Sequence, residues 1–296
     1  MSLRPTAARK TLTAETLAAL GADRLADILL GVADTRPDLK RRLRMEVAAG
    51  QGPEHLVPQI DKRLATLTIS RGQVGWRQKP AVVRDLDALR ELIADRLGEM
   101  DPGAALERLW LFLETSSPVG RRFQGRDSAV AAVYARAAAD LGRLLANQDP
   151  HLAAHALIDA VAARPSVWAE WLPETLAGVP RQTAQVALRH ALDRRERAGG
   201  GWLAAVRHLA DAAGDVDAYR ETYSVEALAT PPVAVEVVRR YLAADAVEAA
   251  GDVLRGAAPK SGRSGRLSSS QLAALLDGLD WTRIHPPRRR RPSGVR

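Results

Sequence analysis

There is no cysteine in this chain of 296 residues. Disulfides, thiolate nucleophiles and Cys-built zinc or iron–sulfur sites are therefore excluded. The absence fits a reducing compartment, and we expect a cytoplasmic protein. Aromatic residues are also scarce, at 4%, and Ala, Leu, Val and Arg supply most of the chain. Ala, Leu and Arg favour helices, and small Ala faces let helices approach closely. No apolar run reaches the ~18–20 residues needed to cross a bilayer. The opening stretch, MSLRPTAARKTLTAETL, lacks the apolar segment of a secretory signal. No membrane insertion is expected.

At 46% hydrophobic and 26% charged, the chain has the composition of a folded globular protein. Its net charge of +8 resembles a nucleic-acid signature until it is located. From Arg255 to Arg296 stand ten Lys/Arg against two Asp, so residues 1–254 are neutral, with 33 charges of each sign. Within that body, residues 1–79 hold 14 basic and 8 acidic groups, and the remainder is correspondingly acidic. Such polarity bears on partners, not on fold.

Helical periodicity runs almost throughout, and strand alternation is nearly absent. Thr13 is placed to cap a short first helix, and Ala22–Val32 follows. Pro37, Pro53, Pro102 and Pro150 stand where a first-turn proline is tolerated, the last two preceded by the capping residues Asp101 and Asp149. Pro58 suggests a later start for the helix that runs from Pro53 to about Ser70. Val82, Leu86, Leu89, Ile93 and Leu97 form one apolar stripe over Ala81–Gly98. Residues 116–125, with Pro118 and two glycines, read as a break, and Val130–Leu145 as a further helix. Gly199, Gly200 and Gly201 read as a hinge, after a helix ending near Arg197. Beyond come Trp202–Ala213, a short helix near Asp217–Tyr223, and a helical hairpin over Val233–Ala258.

The expected fold is all-α: about a dozen helices in an irregular helical repeat, either an α-solenoid or a multi-helix bundle. The expected divisions are a flexible start over 1–12, a helical region over 13–198, a second over 202–258, and a basic, largely disordered tail over 259–296. Within that tail Gln271–Leu279 has the pattern of one short helix, followed by WTRIHPPRRRRPSGVR.

In the hairpin, Tyr241, Ala250, Leu254 and Ala257 match the aromatic and small packing positions of a tetratricopeptide unit, which the segment resembles. Val238 replaces the usual glycine, and Gly262 the usual proline. The phrases KTLTAETLAALGADRLADILL, LKRRLRMEVA, KRLATLTISRGQVGWRQK and DVDAYRETYSVEAL resemble a family of bacterial all-helical proteins carrying a domain of unknown function, from about Lys10 to Ala258. That resemblance implies the fold and carries no activity, cofactor or site residue. Members of the family continue with another helical pair, so the basic tail implies a chain that ends early or in an altered frame after about Leu279.

His151, His155 and Asp159 share one helical face, as a metal site would require, but the Glu that zinc proteases place beside the first histidine is Leu152 here. Ser264 in SGRSG lacks the glycine pattern of a nucleophile elbow, and the triple glycine lacks the Lys-Ser/Thr of a phosphate loop. No catalytic residue, metal or cofactor is assigned, and an enzyme is not expected.

The basic N-terminal third is the better lead. Lys40, Arg41, Arg42, Arg44, Lys62, Arg63, Arg71, Arg77 and Lys79 interleave with Trp76. We take Arg41, Arg42, Lys62, Arg63, Arg71, Trp76 and Arg77 as candidate partner contacts, against the plainer reading of a solvated helix face. Trp168 and Trp171 lie three apart and either anchor a partner or pack between hairpins. Arg288, Arg289, Arg290 and Arg291 would bind polyanions nonspecifically. The expected role is a non-catalytic protein-interaction module. The alternative is a nucleic-acid binder using the basic third and the tail.

Overall fold

The structure is a computed structural model and describes residues 12–125, 127–194 and 199–257. Among the described residues every regular element is helical. The basic tail, its Gln271–Leu279 segment, Gly262, Ser264 and Arg288–Arg291 lie outside the described residues, as does most of the N-terminal segment. The chain divides into two compact units, one ending at Ala137 and the other beginning at Ala138.

In the first unit Thr13 and Thr16 form a reciprocal capping box at α1 (Ala14–Ala18). Next come α2 (Ala22–Thr35), α3 (Pro37–Gln51) and α4 (Pro53–Ile69). α2 buries only Ala33, leaving Ile28, Leu29, Leu30 and Val32 exposed. α4 starts at Pro53, not later. Pro58 removes one amide from its ladder, but Leu56 and Ile60 on either side are fully buried and hold the turn.

α5 (Lys79–Glu91) continues through a π-helical stretch, Leu92–Leu97, into α6 (Gly98–Met100). The wider turn brings three consecutive side chains, Leu92, Ile93 and Ala94, into the core. Asp101 accepts from the Ala104 amide at 2.9 Å and opens α7 (Pro102–Glu114). The expected break at 116–125 is in part a helix, α8 (Ser116–Gly120), because Pro118 falls in its first turn. Leu64, Leu67, Leu86, Leu97, Leu109 and Phe112 fill the core. There Thr115 Oγ1 and Tyr134 Oη lie 2.8 Å apart, satisfying both buried hydroxyls.

The long helix α9 (Ser128–Ala146) carries the chain into the second unit. Then follow α10 (Pro150–Ala163), capped by Asp149, α11 (Pro165–Ala177), α12 (Arg181–Asp193) and α13 (Gly200–Ala213). Residues 195–198, where a longer helix was expected, lie outside the described residues. α13 packs on both α11 and α12, and α10 packs on α12. α14 (Val216–Glu221) and α15 (Val225–Leu228) lead to the expected hairpin, α16 (Pro231–Ala243) on α17 (Val247–Ala257). Of the four packing positions, Tyr241 and Ala250 are buried and Leu254 and Ala257 half-buried, and Val238 is fully buried.

The triple glycine lies at the start of a helix, with Gly199 at the cap. Gly200 and Gly201 are the first residues of α13, and a Cβ on Gly201 would stand 2.9 Å from the Ser166 nitrogen. Close approach of α13 to the start of α11 explains the glycine there, where the sequence alone suggested a hinge.

Candidate functional site

α4 stops at Ser70, and Gly72 and Gly75 keep the next residues out of a helix until Lys79. The excursion lies against residues 121–122, fifty positions further on. The Val74 amide donates to the Arg122 carbonyl at 2.8 Å, and Gln73 Nε2 to the Arg121 carbonyl at 3.3 Å. In return Arg122 Nε donates to the Gly72 carbonyl at 3.0 Å. Buried Phe123 fastens this receiving segment to the core. At the far end, the Gln78 and Lys79 amides donate back to the Gly75 carbonyl and start α5. Lys79 Nζ pairs with Asp127 at 2.5 Å. Burial raises the Asp127 pKa, but the lysine and the Val130 and Ala129 amides more than offset it, so the carboxyl sits below its usual range.

Held on this loop, Trp76 is 78% exposed, with the Arg77 guanidinium 5.0 Å from its ring centroid. The same hydrogen bonds set Gly72, Gln73 and Val74, which Arg71 precedes and Trp76 and Arg77 closely follow, against Arg121 and Arg122. Among the described residues none of these four arginines has a carboxylate partner; Arg121 reaches only the Ser117 hydroxyl, at 2.7 Å. Several other cations of the unit are matched, Arg90 and Arg136 with Asp87, Arg108 with Asp61 and Arg36 with Asp38, while Arg42 and Lys62, like these four, meet no carboxylate among the described residues. An exposed indole among unmatched guanidiniums combines a large contact surface with fork-shaped donors suited to carboxylate or phosphate.

The other residues expected to meet a partner divide sharply. Arg41 and Arg63 both pair with Asp85, the first at 3.6 Å and the second closely, and the Arg63 side chain is only 17% exposed. They brace α3 and α4 against α5. Arg42 and Lys62 are exposed on their helices. Trp168 and Trp171 are both buried, which removes them from any surface a partner touches and makes them core. Arg121 and Arg122 carried no signal in the sequence, where their context reads as a break, and only the fold brings them to the stretch over residues 72–74.

In the second unit, His151 and His155 do not converge on an ion with Asp159. The His155 ring meets that of His190 at 4.4 Å, and Asp159 accepts from Arg194 at 2.9 Å. No group of three such ligands is placed to hold a metal among the described residues. A cleft of about 400 Å³ is lined by Arg181, Asp211, Asp215, Arg240 and Ala243. Its polar groups are engaged with one another: Arg240 grips both Asp211 oxygens, at 2.5 and 2.8 Å, and Arg181 Nε donates to the Ala213 carbonyl at 2.8 Å. Asp215 caps α14 through the Ala218 amide. Behind it Tyr219 donates to Glu236 at 2.6 Å under the Arg240 guanidinium. Burial, then the bonds to Glu236 and Tyr223, push the Tyr219 hydroxyl up, while the Asp211 bond pushes Arg240 up. Tyr241, buried and bonded to Asp217, is pushed up to about 12. All three therefore keep their ordinary protonation near neutrality.

No helix among the described residues is long and apolar enough to cross a membrane. The sequence pattern of a family of unknown function, DUF6880, matches residues 7–166 and 158–284. The chain therefore belongs to that family. The match runs past Ala258, where the resemblance had been expected to stop, and takes in much of the segment read as tail. No curated protein and no solved structure matches the chain.

Proposed function

We propose that the chain is a cytoplasmic, non-catalytic protein-interaction module that meets its partner at the Trp76 loop. One observation carries this reading: a tryptophan with most of its surface in water is held on a loop tied down by three long-range hydrogen bonds. Leaving an indole in water is unfavourable for an isolated chain, and Trp and Arg are the side chains that most often anchor protein interfaces. An all-helical framework supports the reading because its backbone bonds are satisfied internally, leaving side-chain surfaces for contact. The charged groups of the second unit's cleft are engaged within the fold, Arg240 with Asp211 and Arg181 and Asp215 with backbone groups, which supports a structural role for them.

A second reading, nucleic-acid binding, draws on the same indole and cations, since bases stack on aromatic rings and phosphates pair with arginine. Affinity capture from a lysate of the source cells, with and without nuclease, separates the two. Protein partners that survive nuclease and disappear with Trp76→Ala support the interaction reading. Loss of every partner on nuclease treatment supports the second.

A further inference from the structure

We propose that the Trp76 loop docks an acidic, extended segment of a partner protein, with carboxylates on Arg71, Arg77, Arg121 and Arg122 and an apolar side chain against the indole. The proposal rests on the interaction reading above and names the chemistry of the partner.

Charge is the first argument. Asp38, Asp61, Asp85, Asp87 and Asp127 each engage at least one cation, and Arg71 and Arg77 on the loop with Arg121 and Arg122 on its receiving segment meet no carboxylate among the described residues, so that unpaired positive charge, found singly elsewhere in the unit, is gathered here on two segments bonded to each other. Four guanidiniums on one short loop and its receiving segment repel one another, and an anionic partner relieves that repulsion. All four are arginines, whose planar fork takes a carboxylate with two parallel hydrogen bonds.

Order is the second. The loop is fixed at Gly72, Gln73 and Val74 by residues 121–122 and at Gly75 by the start of α5. A partner therefore need not supply the entropy of arranging it.

The aromatic content decides between polymers. Strands of nucleic acid are held by successive rings along a cationic track. Here Trp76 is the single large aromatic side chain exposed among the described residues, and Arg77 already lies over its ring. One ring with Arg77 beside it, on a loop bonded to the segment of Arg121 and Arg122, suits an apolar residue flanked by acids.

The test uses the full chain with Arg288, Arg289, Arg290 and Arg291 changed to Ser, so that the tail does not hold the probe nonspecifically. The probe is a fluorescein-labelled twelve-residue peptide of alternating Glu and Ala with one central Leu, followed by anisotropy at low salt. The expected result is saturable binding that weakens at least tenfold in Trp76→Ala and in the double variant Arg71→Gln/Arg77→Gln, with unchanged unfolding midpoints. Absent binding, or binding unaffected by both variants, overturns the proposal. So does a twelve-nucleotide oligo-dT that binds more tightly than the peptide and is lost with the same variants. If lysate partners depend on Trp76 while the acidic peptide does not bind, the interaction reading stands and this inference alone falls.

Discussion

Arg122 donates its Nε–H to the carbonyl oxygen of Gly72 across 3.0 Å, joining two segments fifty residues apart. The guanidinium that fixes the loop has no carboxylate partner among the described residues, so one side chain links loop order to unpaired charge. Replacing it loosens the loop without opening the core, because Arg122 is only half-buried. A hydrogen bond of this kind contributes about 1 kcal/mol. Arg122→Ala should speed tryptic cleavage after Arg71 and Arg77 severalfold while moving the thermal midpoint by only a few degrees. Unchanged cleavage at both positions would show that the loop is held by something else.

Asp85 is the counter-charge for both Arg41 and Arg63. Asp85→Asn leaves two guanidiniums facing an uncharged amide and should cost about 1–2 kcal/mol, discounted for partial exposure. Urea unfolding measures that loss. Binding at the Trp76 loop should be unaffected, because Arg41 and Arg63 brace helices. A variant with wild-type stability contradicts the bracing role.

These two cases show what the sequence reveals and what it hides. Helix starts were legible because proline and its capping aspartates act within one turn: Asp101 and Asp149 cap α7 and α10 as expected. The inward stripe of α5 was legible for the same local reason. Long-range pairing was not. Arg63 and Arg71 look alike in sequence, yet Asp85 neutralises the first and nothing described neutralises the second. Spacing put Trp168 and Trp171 on one face, but only packing decides that this face points inward. The triple glycine carried a flexible composition, and the reason for Gly201 lies in α11, thirty-five residues away.

Gly142 on α9 is a contact of that hidden kind. A Cβ there would stand 3.0 Å from the Thr175 carbonyl carbon and closer still to its oxygen, so α9 and the end of α11 would have to separate. Gly142→Ala should destabilise the protein by about 2–3 kcal/mol. Gly31, exposed within α2 with open space where a Cβ would stand, is the control: Gly31→Ala should stabilise by about 0.5–1 kcal/mol. Chemical denaturation of both variants reads the contrast, and equal effects would refute the close approach.

His208 sits half-buried on α13, and burial lowers its pKa from the usual 6.5; Arg207 and Arg240 act the same way, while Asp211 and Glu174 partly oppose them. The folded state thus favours the neutral ring. Its contribution to stability is full above about 6.5, and it is lost as pH falls through the lowered folded value, because the unfolded chain takes up the proton first. Between pH 7.5 and 5 the urea midpoint should fall more steeply for the wild-type chain than for His208→Gln. The acid-side losses from Asp87 and Asp127, both held below the usual carboxylate range, come later, below about pH 4. Parallel profiles for the two proteins between pH 7.5 and 5 would remove His208 from the account.

The central claim is that the loop over residues 71–78 and the segment over 117–123 form one partner-binding surface. Amide hydrogen exchange on the full chain, with and without the acidic peptide at saturation, tests it directly. The account predicts slower exchange in both segments together, and no such change in Trp76→Ala. Protection confined to other helices, or to the second unit, would contradict it.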